Sequence, residues 1–320
     1  MNTAASAVAD SAEGEMPSVP VSDIEDGSDA RDWLMMLKPR VMTLVVFTAI
    51  VGMIAAPGHL HPVLAITAII CISIGAGAAG AINMWYDRDI DLIMRRTRKR
   101  PIPAGRIAAN DALAYGVFLS VASVVVMGLS TNWPAAALLA ASIGFYVFIY
   151  TMWLKRRTQQ NIVIGGAAGA FPPMIGWMAV TGSLEWLPVL MFGMIFLWTP
   201  PHFWALSLFA HADYERAGVP MLPVISGAKE TRRQVVIYTW LMVPFTLLPW
   251  ALGLSGPVYG VAAVLLGLWF IVSAHRLAAD QQDEAGVSLT NDRPARATFK
   301  YSIYYLFALF GVMAVDVFLR

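Results

Sequence analysis

The sequence predicts an all-α polytopic membrane protein of about nine transmembrane helices. Three observations predict it. First, 58% of the 320 residues are hydrophobic and only 13% are charged, where a soluble domain of this length carries about 25% charged residues. A mean hydropathy of +0.62 points the same way. Second, nine apolar runs approach the length of about 20 residues that crosses roughly 30 Å of hydrocarbon. Third, every one of the 22 basic residues except Arg320 falls on one side when the nine runs are threaded in order. Adding or removing a run scrambles that separation. Period-two alternation is absent, so helices rather than a barrel satisfy the backbone in lipid. A net charge of +1 makes no bulk electrostatic case for a nucleic-acid partner.

Residues 1–32 stand apart. Asp10, Glu13, Glu15, Asp23, Glu25, Asp26, Asp29 and Asp32 are interleaved with Ala, Ser and Pro, with Arg31 the one basic residue. Such a segment buries too little apolar surface to offset chain entropy, which predicts a disordered acidic tail ahead of one membrane domain, 33–320. It lacks the basic and apolar regions of a secretory signal. The predicted spans lie near Val41–Ala56, Pro62–Tyr86, Ala108–Ser130, Pro134–Trp153, Ile162–Val180, Leu187–Ala210, Val235–Leu254, Val258–Ala274 and Phe299–Leu319. Cys71, the single cysteine, reads as a small core side chain and excludes a disulfide within the chain.

The positive-inside rule puts the N-terminus and the even-to-odd loops in the cytoplasm and the C-terminus outside, in a bacterial inner membrane or with the matrix in place of the cytoplasm in a mitochondrion. The loops after spans 2 and 6 are the richest in charge. Each opens on acids, Asp87-Arg88-Asp89-Ile90-Asp91 and Asp213-Tyr214-Glu215, and then runs into a Pro/Gly segment. Four helices separate them, so two four-helix pseudo-repeats of the same orientation plus a ninth helix are expected.

Asn83, Asp87 and Asp91 are spaced i, i+4, i+8, which aligns them on one helix face at the cytoplasmic mouth of span 2. Their oxygens suit Mg²⁺, which is commonly held by one or two carboxylates together with substrate phosphates. The competing interpretation is a solvated, topology-setting surface. Arg95, Arg96, Arg98, Lys99 and Arg100 follow in the same loop, with Lys155 and Arg156 in the next cytoplasmic loop. Guanidinium groups match phosphate oxygens in pairs and Lys serves as a point charge. A lipid-soluble substrate with a diphosphate head fits this mouth, its tail between helices.

Asn83-Met84-Trp85-Tyr86-Asp87-Arg88-Asp89-Ile90-Asp91 resembles the first aspartate-rich motif of the UbiA superfamily of intramembrane prenyltransferases. Leu37-Lys38-Pro39-Arg40-Val41-Met42, Arg100-Pro101-Ile102-Pro103-Ala104-Gly105-Arg106, Trp153-Leu154-Lys155-Arg156-Arg157-Thr158-Gln159-Gln160-Asn161 and, above all, Trp198-Thr199-Pro200-Pro201-His202-Phe203-Trp204 are similar to its haem-farnesylating branch. The resemblance extends over residues 33–320. It implies a UbiA-type helical bundle that converts haem B, farnesyl diphosphate and water to haem O and diphosphate with Mg²⁺. It also implies membrane lipid as surroundings and haem A synthase or oxidase assembly proteins as neighbours.

On that resemblance Asn83, Asp87 and Asp91 hold Mg²⁺ and act in catalysis with Lys155 and Arg156. Arg95, Arg98, Arg100, Lys38, Arg40, His202, Asp213 and Tyr150 contact substrate. Tyr86, Tyr146, Tyr150 and Trp153 are candidates to stabilise an allylic cation. Two departures stand out: His202 replaces an acid of the quinone-directed members, leaving a second ion near Asp213 open, and Tyr150 lies five residues before Lys155 where the superfamily has four. His202, an ionisable residue within a span, is a functional candidate by default; a satisfied interhelical hydrogen bond is the alternative. His59 and His61 read as interfacial, Asn110 and Asp111 as a cap for span 3, and Gly165, Gly166 and Gly169 as close-packing positions. The rival functions are prenylation of a quinone-type acceptor and haem transport without catalysis.

Overall fold

The computed structural model describes residues 28–283 and 286–320. The described residues form fifteen α-helices and one π-helix. They are α1 (Ala30–Met36), α2 (Pro39–Ala55), α3 (Pro62–Tyr86), α4 (Arg88–Ile93), α5 (Ala109–Ser130), α6 (Trp133–Gly144), the π-helix (Phe145–Leu154), α7 (Asn161–Gly165), α8 (Ala167–Thr181), α9 (Trp186–Phe209), α10 (His211–Arg216), α11 (Leu222–Ile225), α12 (Gly227–Thr246), α13 (Leu248–Ala251), α14 (Pro257–Ala278) and α15 (Arg293–Leu319). Among the described residues eight helical stretches are long and apolar enough to span a bilayer, and nine when the bent pair α1–α2 counts as one. The fold is the expected all-α polytopic bundle. The β structure among the described residues is an isolated bridge between Gln282 and Ser288.

Most of the acidic tail, residues 1–27, lies outside the described residues. Its far end differs from the expectation. Asp29 accepts a hydrogen bond from the Arg31 N–H as the N-cap of α1, and Asp32 pairs with Arg106 at 2.9 Å, so the boundary at residue 32 falls inside a helix. Two other predicted starts were late: α12 begins at Gly227 and α15 at Arg293, because their first turns are polar and carry no apolar run. At span 3 the N-cap is Ala108, so Asn110 does not cap; Asp111 sits in the first turn, facing the positive helix end. His61, expected at the interface, caps α3 through Nδ1, which accepts from the Val63 N–H.

Successive spans pack side by side around a ring that closes where α15 meets α2. The pairings of spans 2 with 3, 3 with 4 and 4 with 5 recur as 6 with 7, 7 with 8 and 8 with 9, as two pseudo-repeats and a ninth helix require. One apolar core joins residues of spans 1 to 5 and another joins spans 1 and 5 to 9. Spans 1 and 5 therefore form the seam. They approach so closely that a Cβ at Gly52 would strike the Pro173 carbonyl and one at Gly176 the Ala49 carbonyl. This small-residue contact was not anticipated, whereas Gly169 has open space beside it and packs against nothing.

Candidate active site

Span 2 stays helical to Tyr86 and then turns. Asp87 has φ −90° and ψ 9°, ending α3 and starting α4. The break is shallow: the Asp87 N–H donates to the Asn83 carbonyl (2.9 Å) and the Asp91 N–H to the Asp87 carbonyl (2.8 Å), so the i, i+4, i+8 alignment survives. Asn83, Asp87 and Asp91 are 4%, 0% and 1% exposed. This burial rules out a merely solvated surface, because buried carboxylates need partners.

The partners come from distant segments. Lys155 pairs with Asp87, and Arg100 meets Asp91 at 2.6 Å. Arg156 grips Asp89 with two hydrogen bonds of 2.6 and 2.7 Å, reaches Asp87 at 3.4 Å, and lies over the Tyr86 ring at 4.9 Å. Asn83 donates to Asp87 (2.7 Å) and to the Thr151 hydroxyl (3.1 Å), while its carbonyl oxygen accepts from Lys38 (3.0 Å). Lys38 reaches it from a left-handed backbone position, φ 53°. Burial, then the charges of Arg100 and Lys155, push the Lys38 amine down to about 7. Although partial burial works against it, the Arg156 hydrogen bond holds the Asp89 carboxyl below the usual carboxylate range.

Oxygen donors thus sit among basic side chains: Arg100, Lys155 and Arg156 pair with Asp91, Asp87 and Asp89, and the Lys38 amine adds a fourth basic group on Asn83. Such a site favours an anionic guest. Among the described residues no three His, Cys, Asp or Glu side chains converge as a complete metal site. The amide and carboxylate oxygens fit Mg²⁺ as a partial set that phosphate oxygens would complete. A cavity of ≈ 840 Å³ at the other end of the bundle, lined by Trp177, Glu185 and Arg320 among others, is remote from these groups.

The UbiA prenyltransferase family profile matches residues 44–313. The chain belongs to the UbiA prenyltransferase family. Curated relatives include "Protoheme IX farnesyltransferase" of Granulibacter bethesdensis, 61% identical over 94% of this chain and 96% of that one. The protein of the same name from Acidiphilium cryptum is 64% identical, covering 91% and 92%. Among solved structures, one described as a study of digeranylgeranylglyceryl phosphate synthase superposes with a TM-score of 0.73 at 18% identity, over 91% of this chain and 99% of that one. A UbiA homolog from Archaeoglobus fulgidus bound to GPP and Mg²⁺ gives 0.62 at 13%, over 88% and 99%. At these identities the two structures show the shared fold.

In this UbiA prenyltransferase the extra residue between Tyr150 and Lys155 has a structural answer. Phe145–Leu154 is a π-helix, and the Lys155 N–H donates to the Tyr150 carbonyl five residues back (2.9 Å). The wider turn restores the stacking that four-residue spacing gives in an α-helix. Tyr150 and Tyr146 lie 5.3 Å apart, and Gly165 leaves room for the Tyr150 ring, which a Cβ there would strike.

Other predicted residues fall elsewhere. Arg95 and Arg98 are exposed at the rim rather than on the carboxylates. The Arg40 side chain lies outside what the structure describes. Trp153 is 52% exposed, whereas the carboxylates are buried. Asp213 pairs with Arg216 at 2.5 Å on its own helix, yet the neighbouring Tyr214 packs with Ile90 and Met94, joining the two acid-bearing loops. His202 turns toward α15, where its Nδ1 meets the Ser302 hydroxyl at 2.6 Å. Thr151, Thr97 and Asp89 were missed as supports. Thr97, whose hydroxyl donates to the Asp91 carbonyl at 2.9 Å, is polar and buried but carries no spacing signal.

Proposed function

We infer that the chain is a protohaem IX farnesyltransferase of the bacterial inner membrane, converting haem B and farnesyl diphosphate, with water, to haem O and diphosphate. The observation that carries the acceptor is identity near 60% over more than nine-tenths of both chains with relatives bearing that name. The Asn83–Asp87–Asp91 cluster and its bases support the prenyl-diphosphate half of the reaction.

In this reaction the C1–O bond of farnesyl diphosphate breaks and its electron pair leaves with the diphosphate. A vinyl π pair of haem B forms the new bond to C1, and water adds to the resulting cation and loses a proton. Asn83, Asp87 and Asp91 would hold Mg²⁺, which supplies Lewis-acid neutralisation of phosphate charge when bound. Lys155, Arg156 and Arg100 take up the developing negative charge, a role that their contacts with the carboxylates support. Arg95 and Arg98 draw the diphosphate toward the mouth. The Tyr150 and Tyr146 ring faces favour positive charge at C1. His202 contacts the porphyrin from span 6. The cytoplasm holds the N-terminus and this mouth, and haem A synthase or an oxidase assembly protein receives the product.

A product assay tests this reading. Membranes carrying the protein are expected to form haem O from haem B, farnesyl diphosphate and Mg²⁺. A prenylated quinone ring with no haem O would overturn it.

A further inference from the structure

His202 lies in a sandwich. On one face the Trp198 ring stacks at 4.2 Å and 18°, and on the other Phe299 stacks at 4.8 Å and 27°. Stacking on both faces sets the plane of the imidazole and leaves rotation within that plane, and the tautomer, to be set at its edge. Ser302, fully buried, meets that edge. Its position is pinned independently, since the Trp198 indole N–H donates to the Ser302 carbonyl at 2.8 Å. Residues 198 and 202 on α9 therefore both dock on 299 and 302 of α15.

The hydrogen bonds assign the proton. The Ser302 hydroxyl has one hydrogen and two close neighbours: the Phe299 carbonyl at 2.7 Å and His202 Nδ1 at 2.6 Å. The carbonyl can only accept. If the hydroxyl donated to Nδ1, two acceptor oxygens would face each other at 2.7 Å without a hydrogen between them. Both distances are satisfied together when the hydroxyl donates to Phe299 and Nδ1–H donates to the hydroxyl. Nε2 then carries a lone pair. Among the described residues it has no hydrogen-bond partner.

We propose that Ser302 is a positioning residue that holds His202 as the Nδ1–H tautomer and presents Nε2 to the acceptor. The arrangement matches that of histidines whose free nitrogen meets a metal, where the other ring N–H is tied to an oxygen that fixes tautomer and direction. The ligand class is a metalloporphyrin, whose iron would take the Nε2 lone pair. The contact is one the substrate makes and leaves. This proposal rests on the haem-acceptor reading above.

Two measurements on the full chain in nanodiscs test it. With ¹⁵N-histidine, solid-state NMR must resolve only five rings, assigned by comparison with His202→Gln. The wild type should show Nδ1–H at His202, and Ser302→Ala a mixture of tautomers. Haem B titrated without farnesyl diphosphate, read by its Soret band, should bind roughly ten- to a hundredfold more weakly to Ser302→Ala. Ser302→Thr should recover most of the loss, and KM for farnesyl diphosphate should stay unchanged. An Nε2–H ring in the wild type, or wild-type haem affinity in Ser302→Ala, would overturn the positioning role. Failure of wild-type membranes to make haem O would instead overturn the acceptor reading.

Discussion

Asp87 meets Asn83, Lys155 and Arg156 with none of its side chain exposed. Its removal has two separable effects. Asp87→Ala strands the half-buried Lys155 and is expected to cost roughly 3–5 kcal/mol of stability, the usual penalty for breaking a buried pair. Asp87→Asn keeps the volume and two hydrogen-bonding ends, so its fold should persist while turnover falls at least about a hundredfold. Asp91→Asn, opposite Arg100, should behave alike. Haem O formation measured beside thermal unfolding separates the two effects. Near-normal turnover in both Asn variants would reduce the cluster to a structural ion-pair network. The spacing of Asn83, Asp87 and Asp91 was legible because a helix repeats every three to four residues. Their partners were legible only as types of charge, since Lys155 lies 68 residues from Asp87 and no local pattern pairs them.

The π-helix is the element that sets the register of the site. It supplies Thr151 to Asn83, sets the Tyr150 ring beside Gly165 and, through its C-cap, brings Lys155 to Asp87 along one short segment. Gly165 on α7 makes room for its Tyr150 ring. Gly165→Ala should force that ring aside, at an overpacking cost of about 1–3 kcal/mol. KM for farnesyl diphosphate should rise while haem binding is unchanged; an unaltered KM would show that Tyr150 does not line the prenyl path. The spans themselves were legible from apolar length alone. Hydrophobicity does not distinguish a π-turn from an α-turn, so the one-residue excess before Lys155 looked like a departure from the family pattern. Similarly, α1 was hidden within an acidic stretch, since its helix depends on the Asp29 cap and on Met36, buried against α3 and the 2–3 loop, rather than on an apolar run.

For the whole molecule, the charge partition makes a direct statement about topology. The single cysteine, Cys71, is buried, so introduced cysteines can be labelled over a low background. An impermeant thiol reagent added from outside should miss Lys99→Cys and react with Ser183→Cys, both exposed positions. The reverse pattern would invert the bundle. With that orientation the carboxylate mouth would face the cytoplasm, and the His202–Ser302 pair lies deeper in the same half of span 6. On the proposed reading the ring of helices joins a half that would hold the diphosphate, built on spans 2 and 4, to a half that would face the acceptor, built on spans 6 and 9. That coupling is open to direct test. Its most direct measurement is the pigment made by membranes supplied with haem B, farnesyl diphosphate and Mg²⁺. Haem O is expected from the wild type, and at most about a hundredth as much from Asp87→Asn. Haem B recovered unchanged, with the farnesyl group carried by another acceptor, would contradict it.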